Sequence, residues 1–237
     1  MKSIINSLLI LSATVSITHA ATVLIGIVGD STVCNYPTDP IRRGWGQMLP
    51  EFLASDVTVQ NEAISGKSTK TFPPESWQRI LSAKPAYVLI QFGHNDSHGE
   101  GKPESTDAKT DFRENLRRYV DEARQAGIKP VFVTPPHRRT FKGGKLSDRL
   151  APYANAMKEV AGEMDVPVID LHASSGALFE KLGENDSAPF TLNEYGRKGK
   201  PGLDLTHFTE MGAREMARLV AEGLVKVDSS LVAPQAN

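Results

Sequence analysis

The chain has 237 residues, two-fifths of them hydrophobic, enough to bury one sizeable core, and it reads as one α/β domain. A formal net charge of −1 with no run of basic residues excludes a nucleic-acid footprint and leaves charged recognition to local clusters. The single cysteine, Cys34, excludes an intramolecular disulfide and reads as a small buried hydrophobe, so stability has to come from packing.

Residues 1–20 set Lys2 ahead of the apolar stretch "IINSLLILSATVSI" and end on "THA", the pattern of a secretory signal peptide. The stretch falls short of the roughly 20 apolar residues of a membrane span, so cleavage after Ala20 should release a secreted chain with no membrane attachment. Apolar, β-branched runs then recur at 22–28 ("TVLIGIV"), 57–64 ("VTVQNEAI"), 86–92 ("AYVLIQF"), 129–135 ("KPVFVTP") and 166–171 ("VPVIDL"). Runs this short and continuous suit strands buried on both faces. Between them lie helical stripes. One carries Phe112, Leu116, Tyr119 and Ala123, opened by Asp111 and Glu114 and stopped at Gly127. A second carries Leu150, Tyr153, Met157, Val160 and Met164. A last helix over about 210–225 presents Met216, Leu219, Val220 and Leu224. Strand alternating with helix predicts right-handed crossovers and a doubly wound parallel sheet covered on both sides. The expected organisation is one domain over 21–226 and a C-terminal tail over 227–237, with no repeat or low-complexity segment.

Ligands of such sheets bind beyond the carboxyl ends of the strands. "GDST" follows the first predicted strand, "NEAISGKS" the second and "GHND" the third, while "DLTH" precedes the last helix, so the four blocks should converge on one edge. Serine hydrolysis needs a nucleophile, a base, a carboxylate to orient the base, and donors for the oxyanion. Ser31 supplies the hydroxyl and His207 the base. Asp204, three residues earlier, lies at a spacing that puts both side chains on one side of a helical turn. The backbone N–H groups of Ser31 and Gly66 and the side-chain amide of Asn95 are the candidate oxyanion donors; Asn95 offers two donors and no charge.

Asp30 reads as a turn residue accepting backbone N–H bonds, and His94 and Asp96 as anchors of the Asn95 loop. His98 and His172 have no matching partners and read as surface or packing residues. His137, beside Arg138 and Arg139 on the loop after the fourth strand, is a substrate-loop candidate. Trp45 and Trp77 sit in amphipathic segments and read as packing on the sheet. "GHND" resembles the "GNHD" of metallophosphoesterases, but the order is inverted and the other ligand motifs are absent. In "DSTV", Thr32 stands where aspartyl phosphatases carry a second aspartate. No metal site and no cofactor are implied.

The ordered set Ser31, Gly66, Asn95 and His207 resembles the SGNH (GDSL-type) hydrolases, over Gly29 to His207. "GDSTV", "GWGQMLPEF", "NEAISGKSTKTF", "IQFGHND" and "DLTHF" are most similar to the rhamnogalacturonan acetylesterase branch, with "TPPHRR" like its usual loop after the fourth strand; Lys67 and Lys70 stand where arginine is more usual. The resemblance implies a flavodoxin-like three-layer α/β/α sandwich, with a five-stranded parallel sheet, and a serine esterase that removes acetyl groups from pectic polysaccharide; the chain is expected to act as a monomer. The chain adds its own argument. Lys67, Lys70, Arg138, Arg139, Arg197, Lys198 and Lys200 fall in loops around the expected site, which suits a polymer whose carboxylates lie beside a neutral ester. Of these, Lys67 together with His137, Arg138 and Arg139 are the substrate-binding candidates. The alternatives are an esterase or lysophospholipase acting on lipids, disfavoured by the polar loops, and a non-catalytic carbohydrate-binding protein, which would need no Asp–His pair.

Overall fold

The computed structural model describes residues 22–193 and 203–234. The signal-peptide segment and the cations Arg197, Lys198 and Lys200 lie outside the described residues. In chain order the elements are β1 (Val23–Gly29), β2 (Arg42–Arg43), α1 (Trp45–Met48), β3 (Val57–Asn61), α2 (Pro74–Ala83), β4 (Tyr87–Gln91) and α3 (Asp111–Gln125). There follow β5 (Lys129–Val133), the hairpin β6 (Phe141–Lys142) and β7 (Lys145–Leu146), α4 (Ala151–Met164), β8 (Val168–Ile169), α5 (Leu171–Asp186), β9 (Thr191–Asn193), β10 (Asp204–Thr209) and α6 (Glu210–Val227).

The five apolar runs supply β1, β3, β4, β5 and β8, which form one parallel sheet in the order β3-β1-β4-β5-β8. This is the flavodoxin-like order, in which the chain winds outward both ways from the first strand. Alternation along each strand divides the core in two. Ile25, Ile27, Leu89, Val131 and Val133 face Trp45, Phe179 and the α6 stripe of Met216, Val220 and Leu224. Val28, Val88, Ile90 and Phe132 face Trp77, Ile80, Phe112, Leu116, Tyr119, Met157 and Val160. Helices α1, α5 and α6 therefore cover one side and α2, α3 and α4 the other, which is why the strands read as unbroken apolar runs rather than alternating ones.

Two features differ from the sequence reading. The segment after α6 is built into the domain: Leu231 is 1 % exposed, its carbonyl accepts the Ala54 N–H, and the Ala233 N–H reaches the Phe52 carbonyl. Burying such a leucine is worth about 1.5–3 kcal/mol, which holds residues 228–233 against the turn over Leu49–Phe52. The second feature is a small antiparallel sheet, β2-β10-β9, lying beyond the main one. It sets the "DLTH" block in a strand instead of a helical turn, with the β9 pairing slipping register between Asp204 and Phe208.

Candidate active site

Ser31 follows β1 in a turn fixed from beneath. A Cβ at Gly29 would come within 2.6 Å of the Gln91 carbonyl, so glycine lets the turn press onto β4. Asp30 is fully buried; its Oδ1 accepts the Thr32 N–H (2.9 Å) and hydroxyl (2.8 Å), and its Oδ2 accepts Gln91 Nε2 (3.2 Å). Gln91 Oε1 in turn accepts the Trp45 indole N–H at 2.7 Å. Burial works against the Asp30 charge, but the adjacent His94 and the Thr32 donors hold its carboxyl below the ordinary range. His94, 2 % exposed, is driven the other way by burial, which favours its neutral form against the pull of Asp30.

His207 Nε2 lies 2.9 Å from Ser31 Oγ, and His207 Nδ1 lies 2.8 Å from Asp204 Oδ2. Asp204 Oδ1 accepts the backbone N–H groups of Thr206 (3.1 Å) and His207 (3.0 Å), a tight turn inside the bulged strand that brings the two side chains together as the expected helical turn would have done. Burial raises the Asp204 carboxyl, but the His207 hydrogen bond and charge and these two N–H donors pull it far below the ordinary range. With Nδ1–H committed to Asp204, Nε2 is the nitrogen left to accept the Ser31 proton.

Gly66 has φ +80°, and a Cβ there would meet nothing within 4 Å; the turn needs glycine for its backbone conformation, not for space. Asn95 donates one Nδ2–H to the Lys67 carbonyl at 2.9 Å, which ties the loops after β3 and β4 together and leaves its second N–H available. Asp96 anchors the same junction, accepting from Thr69 N (3.1 Å), Thr69 Oγ1 (2.5 Å) and Thr106 Oγ1 (2.9 Å) while burial pushes it up to about 7.

Ser31, Gly66, Asn95 and His207 open into a cavity of about 290 Å³ whose remaining walls, among the described residues, are Arg42, Ser65, His94, His98, Arg138 and Thr206. A shallower groove of about 850 Å³ continues from His98 over Lys70 and Lys102, along the polar loop after β4. Of the four expected substrate-binding residues, the structure brings only Arg138 to the cavity wall, where it donates to Thr206 Oγ1 (2.5 Å) and to the His94 carbonyl (3.0 Å). Lys67 contributes its carbonyl to Asn95 and is not on the wall. Arg139 is 5 % exposed and braces the fold, donating to Thr191 Oγ1 (2.9 Å), the Glu184 carbonyl (2.7 Å) and Asn193 Oδ1. His137 stacks on His172 with ring centroids 3.9 Å apart, over Gly176, where a Cβ would lie 2.8 Å from the His137 ring.

His137, His172 and Asp148 bring ligand-type atoms within 4.8 Å of one another. The two rings are stacked only 18° from parallel, so the in-plane lone pairs of the two imidazoles do not converge on a common point, and the group does not form a metal site. Among the described residues, no helix is long and apolar enough to cross a membrane. Arg42, Ser65, His98 and Thr206 were not singled out as site residues by their sequence; the β2–β10 pairing that carries Arg42 and Thr206 to the cavity has no local signature.

The GDSL-like lipase/acylhydrolase family matches residues 27–214. Rhamnogalacturonan acetylesterase RhgT of Bacillus subtilis (strain 168) is 40% identical over 207 residues, covering 84% of this chain and 88% of that protein. The probable rhamnogalacturonan acetylesterase YesY of the same organism is 37% identical over 202 residues, covering 84% and 90%. The crystal structure of YxiM from Bacillus subtilis superposes with a TM-score of 0.74 at 27% identity, over 87% of this chain and 57% of that one, so the chain spans little more than half of that protein. A serine, histidine and aspartate in hydrogen-bonded sequence at the carboxyl edge of a parallel sheet, in a chain with these relatives, identify it as a carboxylic ester hydrolase belonging to the GDSL-like lipase/acylhydrolase family.

Proposed function

We propose that the protein is a secreted esterase that removes O-acetyl groups from pectic polysaccharide, with rhamnogalacturonan preferred, through an acetyl-Ser31 intermediate. The observation that carries the reading is the unbroken Ser31–His207–Asp204 relay, at 2.9 and 2.8 Å, opening into a cavity walled by polar and charged residues and a glycine. Such walls suit a sugar ester and not an acyl chain. The similarity to RhgT, a rhamnogalacturonan acetylesterase, supports the substrate, and the export pattern of residues 1–20 supports a site of action outside the cell, where such a polymer is met.

Ser31 Oγ attacks the acetyl carbonyl as its proton passes to His207 Nε2, and Asp204 holds Nδ1–H and balances the imidazolium. The negative oxygen receives the N–H groups of Ser31 and Gly66 and the second Nδ2–H of Asn95. Collapse expels the sugar oxygen, which takes the proton from His207. Water, deprotonated by His207, then attacks acetyl-Ser31 and releases acetate.

Asn95→Ala removes one oxyanion donor and is expected to lower kcat about 10²- to 10³-fold with little change in KM. A defect confined to KM would make Asn95 a binding residue instead.

Substrate class is tested by initial rates of acetate release from acetylated rhamnogalacturonan and from acetylated xylan at low salt. The uronate-rich polymer should be the faster, and its KM should rise with ionic strength more than that of a small neutral ester, because exposed charge contacts are screened. Equal or faster release from xylan overturns the pectic assignment and leaves the serine esterase standing.

A further inference from the structure

We propose that Arg42 sets the specificity of this site by receiving the carboxylate of an acetylated uronate while the acetyl group of that sugar, or of its neighbour, lies at Ser31. The inference rests on the pectic reading and adds to it the residue that recognises the acid.

Among the described residues, Arg42 is one of two arginines on the cavity wall, and they are differently engaged. Arg138 is braced by Thr206 Oγ1 and the His94 carbonyl, so it holds the loop after β4 against β10. Arg42 makes no comparable bond. Its Nε is buried without a hydrogen-bond partner among the described residues, and the carboxylate nearest to that nitrogen, Asp39 Oδ2, stands 3.9 Å away, beyond hydrogen-bond reach. Asp39 directs its other oxygen to the backbone N–H groups of Ile41 (2.9 Å) and Arg42 (2.8 Å), so it shapes the turn that carries the arginine. A buried donor left unpaired is unfavourable, and the guanidinium keeps its remaining hydrogen-bonding capacity for an acceptor that enters the cavity.

The position of the guanidinium is tied to the reacting serine. The Arg42 guanidinium carbon lies 5.3 Å from the centroid of the Tyr36 ring, on its face, and the Tyr36 hydroxyl donates to the Ser31 carbonyl at 2.8 Å. From the other side β2 pairs with β10, Arg42 opposite Thr209, two residues beyond His207. Arg42 is therefore registered against both the nucleophile and the base by contacts that need no substrate. The cavity, about 290 Å³, is of a size for one sugar unit, so an anion that reaches Arg42 with an ester at Ser31 belongs to that unit or the adjoining one. A carboxylate matches the terminal edge of the guanidinium, where two N–H groups donate in parallel; an ammonium could not offer this pair.

The test uses the full chain and two substrates: acetylated rhamnogalacturonan oligosaccharides, and the same oligosaccharides with their carboxyl groups reduced to primary alcohols. The wild-type enzyme is expected to favour the acidic form by about tenfold or more in kcat/KM, chiefly through KM. Arg42→Gln should bring that ratio close to one, and Arg42→Lys should restore part of it, since charge returns without the paired geometry. Thermal melts followed by circular dichroism establish that the variants are folded. A wild-type ratio near one, or a ratio that survives in Arg42→Gln, overturns the assignment of Arg42 and leaves the pectic reading intact. A wild-type enzyme that releases no acetate from either oligosaccharide while hydrolysing 4-nitrophenyl acetate overturns the pectic reading, and the role of Arg42 with it.

Discussion

Ser31→Ala is expected to lower the turnover of acetylated rhamnogalacturonan about 10⁶-fold. The substitution removes a single oxygen that points at His207 Nε2, and the turn beneath it is held by Asp30, Thr32 and Gln91, none of which uses the serine hydroxyl. The cavity and its oxyanion donors persist, and by themselves they support only a small residual rate over water. Acetate release measured with excess enzyme gives the magnitude. Intact-mass analysis after exposure to a fluorophosphonate gives the site, with one adduct on the wild-type chain and none on the variant. Retention of more than a few per cent of the activity would show that another nucleophile is at work.

Asp204→Asn should cost about 10⁴-fold in kcat while leaving the fold in place. Asparagine keeps an oxygen for the N–H groups of Thr206 and His207, so the turn inside β10 survives. Its amide then turns an N–H₂ toward His207 Nδ1, where the carboxylate oxygen accepted a proton. Two donors cannot share that contact, so the imidazole shifts its proton to Nε2 and can no longer take one from Ser31. Linkage adds a second readout. The folded Asp204 carboxyl lies below its unfolded value of about 3.9, so the stability it contributes is present above that pH and is lost as the pH falls through the depressed folded value. Wild type should therefore melt higher than Asp204→Asn at neutral pH, with the gap closing in acid. Normal turnover in the variant would mean that another carboxylate orients the base.

The parts of this molecule that could be read from its sequence are those whose causes are local. β1, β4 and β5 show as apolar runs because both faces are buried, and α3, α4 and α6 show as stripes because one face is. The serine, glycine and asparagine blocks were legible because each follows such a strand. The remainder depends on partners distant in the chain. β2 has two residues and β9 three, and they exist only as neighbours of β10, so neither has a pattern of its own. The spacing of Asp204 and His207 predicts a helical turn, yet the turn joining them belongs to a strand. "HRR" reads as one binding patch, but consecutive side chains of an extended segment face opposite ways. Arg138 alone reaches the cavity, while His137 and Arg139 turn toward α5 and β9. The C-terminal tail went unread for the same reason, since nothing near Leu231 in sequence announces its contact with the Phe52 segment.

The bond from Ser31 to His207 joins residues 176 apart, and this long span orders events in the life of the chain. Contacts of such separation form late in folding, because the entropy of closing the intervening loop must be met first. During synthesis the nucleophile emerges with most of the domain still to be made, and it stays an ordinary, unreactive hydroxyl until β10 and α6 dock. Hydrolytic competence therefore arrives in one step at the end of assembly. The same geometry reverses on denaturation: any opening that parts β10 from the turn after β1 breaks the Ser31–His207 bond and silences the enzyme.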